Sequence, residues 1–129
     1  MSAEALIAGF DAGQTHTTCR LVEAATGLAL AEGEGPGVAH LAAPEGPARF
    51  RAALEGSLAA ARRRLSAAWA AAPLLAAAVG ASGIEAGTAV QEQGLALAAA
   101  ALALPPQHVE VTGDERTALG GAFAGEAGI

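Results

Sequence analysis

Residues 6–22 read LIAGFDAGQTHTTCRLV, and this stretch decides the fold. Its apolar start has the length of a β-strand and ends at Asp11, where small and polar residues begin. A second run, rich in β-branched residues, starts at Thr17. Two such runs separated by a short segment of small residues predict antiparallel strands joined by a hairpin turn.

The residues after this hairpin predict a third strand and then a long helix. Turn residues at 25–27 precede a strand at 28–34, and the four Gly and three Pro between Gly33 and Pro47 predict a loop. The helix is predicted from apolar residues at three- and four-residue spacing, and Pro73 should end it. The apolar stripe consists of Phe50, Leu54, Leu58, Ala61, Leu65 and Trp69.

The remainder of the chain alternates between strands and helices. We expect a strand at 74–79, a helix at 86–104, a strand at 108–112 and a third helix at 114–124. Residues 1–129 are therefore expected to form one α/β domain in the order β-β-β-α-β-α-β-α. An antiparallel set of strands followed by βα units implies a mixed sheet with helices on its faces.

Composition and charge argue against several classes of function. The net charge of −6 disfavours non-specific nucleic-acid binding, which needs a basic surface. The absence of Lys excludes a P-loop, and a single Cys cannot build a disulfide framework. A signal peptide would require a basic residue near its start, but none precedes Arg20. The longest apolar stretch, 95–104, is too short to cross a membrane. We therefore expect a soluble, cytoplasmic protein with neither nucleic-acid nor membrane partners.

The hairpin turn at residues 11–17 is the main candidate for a functional site. A turn of small residues lets backbone N–H groups approach a phosphate closely, and hydroxyl side chains add further donors. The carboxylate of Asp11, which precedes the turn, can hold a hydrated Mg²⁺ beside that phosphate. An ordinary hairpin that begins with Asp explains the same pattern, so both interpretations are open at this point.

The use of aspartate supports the functional interpretation of the turn. Among 13 acidic residues only Asp11 and Asp114 are aspartates, and each lies just after a predicted strand. Ligand-binding groups of α/β proteins lie at the carboxyl ends of strands. We therefore expect that both positions require the shorter carboxylate.

Four segments of the chain follow one another in a recognisable order. They are IAGFDAGQTHTTCRLV at 7–22, GEGPGVAH at 33–40, GASGIE at 80–85 and VTGDERTALGGA at 111–122. The first resembles the first phosphate motif of the acetate kinase/hexokinase/Hsp70/actin superfamily. In order and spacing, all four resemble the N-terminal domain of the BadF/BadG/BcrA/BcrD-type ATPases, over nearly the whole chain. That family includes N-acetylglucosamine kinases and activators of 2-hydroxyacyl-CoA dehydratases.

This resemblance implies a ribonuclease H-like, actin-like ATPase domain that uses ATP and Mg²⁺. In the family's sugar kinases the first turn contacts the ATP phosphates, and the aspartate after the fifth strand is the catalytic base. That base corresponds to Asp114 here, and Asp11 is expected to hold Mg²⁺ through water. The phosphate-binding positions correspond to Gly13, Gln14, Thr15 and Thr17.

The resemblance also implies a sugar site, with a hexosamine such as N-acetylglucosamine or glucosamine as substrate. Many sugar-binding members carry an Asn in the loop after the third strand, where this chain offers His40 as a substitute hydrogen-bond donor. Ser82 and Gly83, after the fourth strand, either approach the substrate or only turn the chain. The first turn departs from the family too, because His16 stands where Lys is common.

Two other functions are open at this stage. One is an ATPase that drives a conformational change in a partner, as the dehydratase activators do with an iron–sulfur cluster held by cysteines at a dimer interface. Cys19, expected to be buried in the second strand, is a poor candidate for such a ligand. The other is a non-catalytic binding domain. The resemblance implies a C-terminal domain that this chain lacks, so we expect little turnover from residues 1–129 alone, and a homodimer is left open.

Overall fold

The structure is a computed structural model that describes residues 4–81, 84 and 87–113. These residues form five strands, two α-helices and one 3₁₀ turn. The strands are β1 (Leu6–Ala12), β2 (His16–Glu23), β3 (Ala29–Pro36), β4 (Leu74–Ala81) and β5 (Val109–Thr112). The helices are α1 (Gly46–Arg63) and α2 (Ala89–Leu102), and the 3₁₀ turn is Pro106–His108. The predictions for Ser82, Gly83, Asp114 and a helix at 114–124 fall outside the described residues.

The strands form a single mixed sheet in the order β3-β2-β1-β4-β5. The hairpin partners β1–β2 and β2–β3 are antiparallel, whereas β4 lies parallel to β1 and β5 lies parallel to β4. The predicted α/β class, with an antiparallel meander followed by βα units, is confirmed. A parallel strand needs a crossover connection, and α1 and α2 supply the two crossovers.

One face of this sheet carries the hydrophobic core. Phe10 pairs across the sheet with Cys19 and with Val79, and Val79 pairs with Val111, so these four side chains share one face. Both helices pack on that face, and their buried side chains join the strand residues in one continuous cluster. The opposite face carries polar side chains, among them Asp11, which is exposed.

Helix α1 approaches β3 more closely than any side chain would allow. A Cβ on Gly33 would lie 2.2 Å from the backbone nitrogen of Ala61, and one on Gly35 would lie 2.7 Å from the nitrogen of Ser57. These glycines therefore belong to the strand rather than to the loop predicted at 33–47. The loop is shorter than predicted because β3 continues to Pro36 and α1 begins at Gly46.

The first helix is also shorter than its apolar stripe predicts. It ends at Arg63, and the N–H groups of Arg64 and Leu65 bond back by three residues to Ala61 and Arg62. Its 18 residues span about 27 Å, which already matches the roughly 25 Å length of the strands beneath it. The chain must therefore turn here to reach the start of β4. Leu65 and Trp69, predicted to be helical, lie in turns and still pack against the core.

The second helix begins and ends at recognisable caps. The Thr88 hydroxyl accepts a hydrogen bond from the Gln91 N–H at 3.2 Å, and Ala103 ends the helix in the left-handed region with φ 56°. The predicted limits of 86 and 104 were too wide for this reason. Neither described helix is long and apolar enough to cross a membrane.

Candidate functional site

The loops that carry the predicted site residues meet at one edge of the sheet. Because β1, β3, β4 and β5 all run in the same direction, their carboxyl ends lie together, next to the start of β2. The β1–β2 turn (13–15), the β3–α1 loop (37–45) and the β4–α2 loop (82–88) all leave this edge. Gly113, which directly precedes Asp114, does so too.

The β1–β2 turn presents unpaired backbone donors to solvent. The Gly13 N–H donates to the His16 carbonyl at 3.0 Å and closes the turn. Gln14, Thr15 and His16 are all exposed. Among the described residues, no hydrogen bond is formed by the N–H groups of Gln14 or Thr15. The turn therefore holds two consecutive donors in a fixed loop, an arrangement that suits an anion.

The β3–α1 loop supports this turn from behind. The Val38 N–H donates to the Gly13 carbonyl at 2.9 Å. A Cβ on Gly37 would lie 2.0 Å from the Gln14 carbonyl oxygen and 2.8 Å from the Thr15 carbonyl carbon. The two loops are thus in direct backbone contact, and only glycine at position 37 allows it. We therefore expect this contact to orient the donors in the turn.

Asp11 provides the carboxylate beside the turn. It lies next to Thr18 on β2 and Gly80 on β4, and Gly80 in turn pairs with Thr112 on β5. Asp11 is thus two strand spacings, roughly 10 Å, from Thr112. Arg20, on the same face, is already paired with Glu32, with 2.8 Å between its Nε and the carboxylate.

These residues fit a hydrated magnesium ion. An exposed carboxylate next to unpaired N–H donors leaves room for a cation between the carboxylate and a bound phosphate. Without such a cation the two negative groups would repel each other. No cluster of three or more His, Cys, Asp or Glu side chains suited to a metal occurs among the described residues. A single carboxylate acting through water is the arrangement that the turn offers.

His16, the first residue of β2, is the basic side chain next to the turn. Its Nδ1 lies 3.2 Å from the Thr15 hydroxyl, and both side chains are exposed. In the sequence this residue is a departure from a usual Lys, and the structure places it beside the free donors. Thr17, predicted to contact phosphate, differs from its neighbours. Its side chain is 0% exposed on the face that α1 covers, and its hydroxyl has no hydrogen-bond partner, so the hydroxyl is not available at the turn.

His40 lies in the β3–α1 loop at the same edge. Its Nδ1 accepts a hydrogen bond from the Ala42 N–H at 3.1 Å, so the neutral ring carries its proton on Nε2 and can donate from there. His40 also lines a small cavity together with Ala81 and Ile84. These two residues flank Ser82 and Gly83 in sequence, so the loops with the predicted substrate contacts adjoin one another.

A further residue, Gln91, was not identified from the sequence. Its side chain accepts from the Gly87 N–H at 2.7 Å and donates to the Val111 carbonyl at 2.8 Å. It thereby joins the β4–α2 loop to β5. No sequence signal distinguishes Gln91 from the exposed Gln93 of the same helix, because both lie in a polar start to α2.

Comparison with known proteins places this architecture among the sugar kinases. A crystal structure from Chromobacterium violaceum, assigned as an N-acetylglucosamine kinase, is similar over 94% of this chain, with a TM-score of 0.62 and 28% identity. The chain covers 39% of the length of that protein. A xylulose kinase from Bifidobacterium adolescentis matches 61% of this chain and 14% of its own, with 19% identity and a TM-score of 0.38, too distant to carry an argument. No protein-family model and no curated protein sequence matches the chain. The fold is that of the actin-like ATPases and sugar kinases.

Proposed function

We propose that this chain is the phosphate-binding N-terminal part of an ATP-dependent sugar kinase of the BadF/BadG type. The substrate we propose is a hexosamine such as N-acetylglucosamine or glucosamine. The main supporting observation is the β1–β2 turn (13–15), whose free N–H groups, adjacent Asp11 and supporting loop occur in a fold shared with an N-acetylglucosamine kinase structure. The alternative, an activator-type ATPase, would hold an iron–sulfur cluster through cysteines at a dimer interface. Cys19 is 0% exposed and therefore gives this alternative no support.

In this proposal the turn binds the phosphates of ATP. The N–H groups of Gln14 and Thr15 donate to phosphate oxygens, and the hydrogen bond from the Gly13 N–H to the His16 carbonyl holds the turn in shape. The Asp11 carboxylate would hold Mg²⁺ through its bound water. Bound Mg²⁺ would offset negative charge on the phosphates as it develops.

The sugar occupies the neighbouring loops. The Nε2–H of His40 donates to a sugar oxygen, and Ser82 and Gly83 complete the contacts. Asp114 accepts the proton of the attacking hydroxyl as that oxygen bonds to the γ-phosphorus and ADP leaves. General-base action of this kind contributes about 10²–10⁴-fold to the rate.

The test uses the protein that joins this domain to its expected C-terminal partner. Wild type should release ADP in step with phosphorylation of a hexosamine, and Asp114→Asn should reduce this by at least about 100-fold without lowering the melting temperature. Glu115→Gln, one residue further on, is the matched control and should stay active. Sugar-independent hydrolysis that survives Asp114→Asn would instead indicate an activator-type ATPase.

A second test needs only the 129-residue chain. Millimolar Mg-ATP should shift the backbone amide signals of Gln14 and Thr15 in two-dimensional NMR spectra, whereas adenosine should not. Shifts located elsewhere, or none at all, would contradict a phosphate role for the turn.

A further inference from the structure

The Gln91 side chain connects two loop ends at the candidate site. It lies in the first turn of α2, and its own N–H is held by the Thr88 hydroxyl at 3.2 Å. From this fixed base, Oε1 accepts the Gly87 N–H at 2.7 Å and Nε2 donates to the Val111 carbonyl at 2.8 Å. A single amide group therefore satisfies one donor and one acceptor of the backbone.

One of those backbone groups lies in a loop and the other in an edge strand. Gly87 is part of the β4–α2 loop and has φ +77°, a conformation that glycine adopts readily. Val111 belongs to β5, which is the edge strand of the described sheet, and an edge strand leaves one row of its backbone groups unpaired. The Gln91 side chain thus links the loop to the edge strand.

The same two segments also touch through their backbones. A Cβ on Gly113 would lie 2.4 Å from the Ile84 carbonyl oxygen, so the end of β5 lies directly against the β4–α2 loop. Within α2, a Cβ on Gly94 would lie 3.2 Å from the Ile84 Cδ1 and 3.4 Å from the Val111 Cγ1. Because residue 94 has no side chain, Ile84 and Val111 both pack closely against the surface of α2 at this position. The Gln91 hydrogen bonds are one part of a compact junction.

We infer that Gln91 is a positioning residue that fixes the end of β5 relative to the β4–α2 loop. The catalytic consequence rests on the proposed function. Asp114 follows Val111 by three residues, and Ser82 and Gly83 lie in the loop that leads to Gly87. The side-chain hydrogen bonds of Gln91 contact the β4–α2 loop and β5, and neither reaches the β1–β2 turn. Its loss should therefore disturb sugar binding and proton transfer more than the binding of ATP at the β1–β2 turn.

The structural part of this inference can be tested without enzymatic activity. Gln91→Met removes both hydrogen-bonding groups and keeps a side chain of similar length, and Gln93→Met is the matched control on the same helix. In the 129-residue chain, the Gly87 amide should exchange with deuterium about 10-fold faster or more in Gln91→Met than in Gln93→Met, because it loses its acceptor. Amides of β5 should also exchange faster. Equal exchange in the two variants would overturn the inference.

The catalytic part is tested in the two-domain protein. Gln91→Glu keeps an acceptor for the Gly87 N–H but, when ionised, has no donor for the Val111 carbonyl. It therefore removes the second hydrogen bond and leaves the first in place. After normalisation to the folded fraction, both Gln91 variants should lower kcat about 10-fold or more and raise KM for the sugar, with KM for ATP within twofold of wild type. Unchanged values of kcat and sugar KM would overturn a positioning role. A wild type without sugar-dependent turnover would refute the proposed function, and amide exchange would still decide the role of Gln91.

Discussion

Gly37→Ala should displace the β1–β2 turn by adding one methyl group behind it. The new Cβ would lie 2.0 Å from the Gln14 carbonyl oxygen and 2.5 Å from the carbonyl carbon, both of them backbone atoms that no rotamer change can move. To reach even a tight contact of 3.0 Å, the two segments must separate by about 1 Å. Overpacking of this kind costs about 1–3 kcal/mol of folding stability.

The larger effect should fall on phosphate binding. A displacement of about 1 Å at a reacting group can cost on the order of 100-fold in rate, and the new methyl would press on the Gln14 and Thr15 carbonyl groups of the same turn. The assay combines thermal unfolding with an NMR titration of Mg-ATP against the 129-residue chain. We expect a melting temperature lower by roughly 3–10 °C. We also expect the ATP-induced amide shifts at Gln14 and Thr15 to disappear, in spectra recorded well below the transition.

Gly27→Ala is the control for loss of stability alone. Gly27 has φ +76° in the β2–β3 turn, and nothing lies within 4 Å of a Cβ added there. The substitution should cost about 1–2 kcal/mol through backbone strain and leave ATP binding intact. If Gly37→Ala bound Mg-ATP as well as Gly27→Ala does, the argument that the loop contact orients the turn would be refuted.

Two further predictions concern the α1 side of the sheet. Burial raises the pKa of the Cys19 thiol to about 12 from 9.0, and the charge of Arg62 offsets this only in part. Since the folded state holds this proton more tightly, its stabilising contribution is complete below pH 9 and is lost as the pH rises towards 12. The free energy of unfolding should fall by about 2 kcal/mol between pH 9 and 10.5 in denaturant titrations, and this decrease should be absent from Cys19→Ala. The same dependence of unfolding free energy on pH in both proteins would contradict a buried Cys19 thiol with a raised pKa. Gly33→Ala should destabilise the fold by about 3 kcal/mol or more in the same titrations, because its Cβ would lie 2.2 Å from the backbone of α1. The control Gly56→Ala, with 3.4 Å to the nearest atom, should be neutral or stabilising. Equal effects of the two substitutions would contradict the close packing of α1 on β3.

Most of the fold could be predicted from local sequence patterns. The apolar run before Asp11 and the β-branched run after it give the first hairpin because strand periodicity and turn residues act over short distances. The end of α1 could not be predicted in this way. Leu65 and Trp69 continue the apolar stripe, but the length of the sheet, a property of the whole domain, ends the helix at Arg63.

For the candidate site, local patterns predict the turn and its carboxylate but not the contacts around them. Asp11 and the small residues of the turn are predicted as a site because phosphate and Mg²⁺ binding, as proposed here, would restrict residue type. The burial of Thr17 depends on which face α1 covers, and the role of Gln91 depends on two backbone groups distant in sequence, Gly87 and Val111. Neither is encoded in any local pattern.

In the proposed function, the β1–β2 turn binds phosphate through main-chain groups, and this would have an evolutionary consequence. The side chains of Gln14 and Thr15 can drift freely, because exchanging them leaves their amides where they are. Selection should act instead on the opposing loop, where Gly37 tolerates no replacement. A homologue should therefore be sought through a conserved glycine some two dozen residues after an aspartate, rather than through the identity of the residues at the tip of the turn.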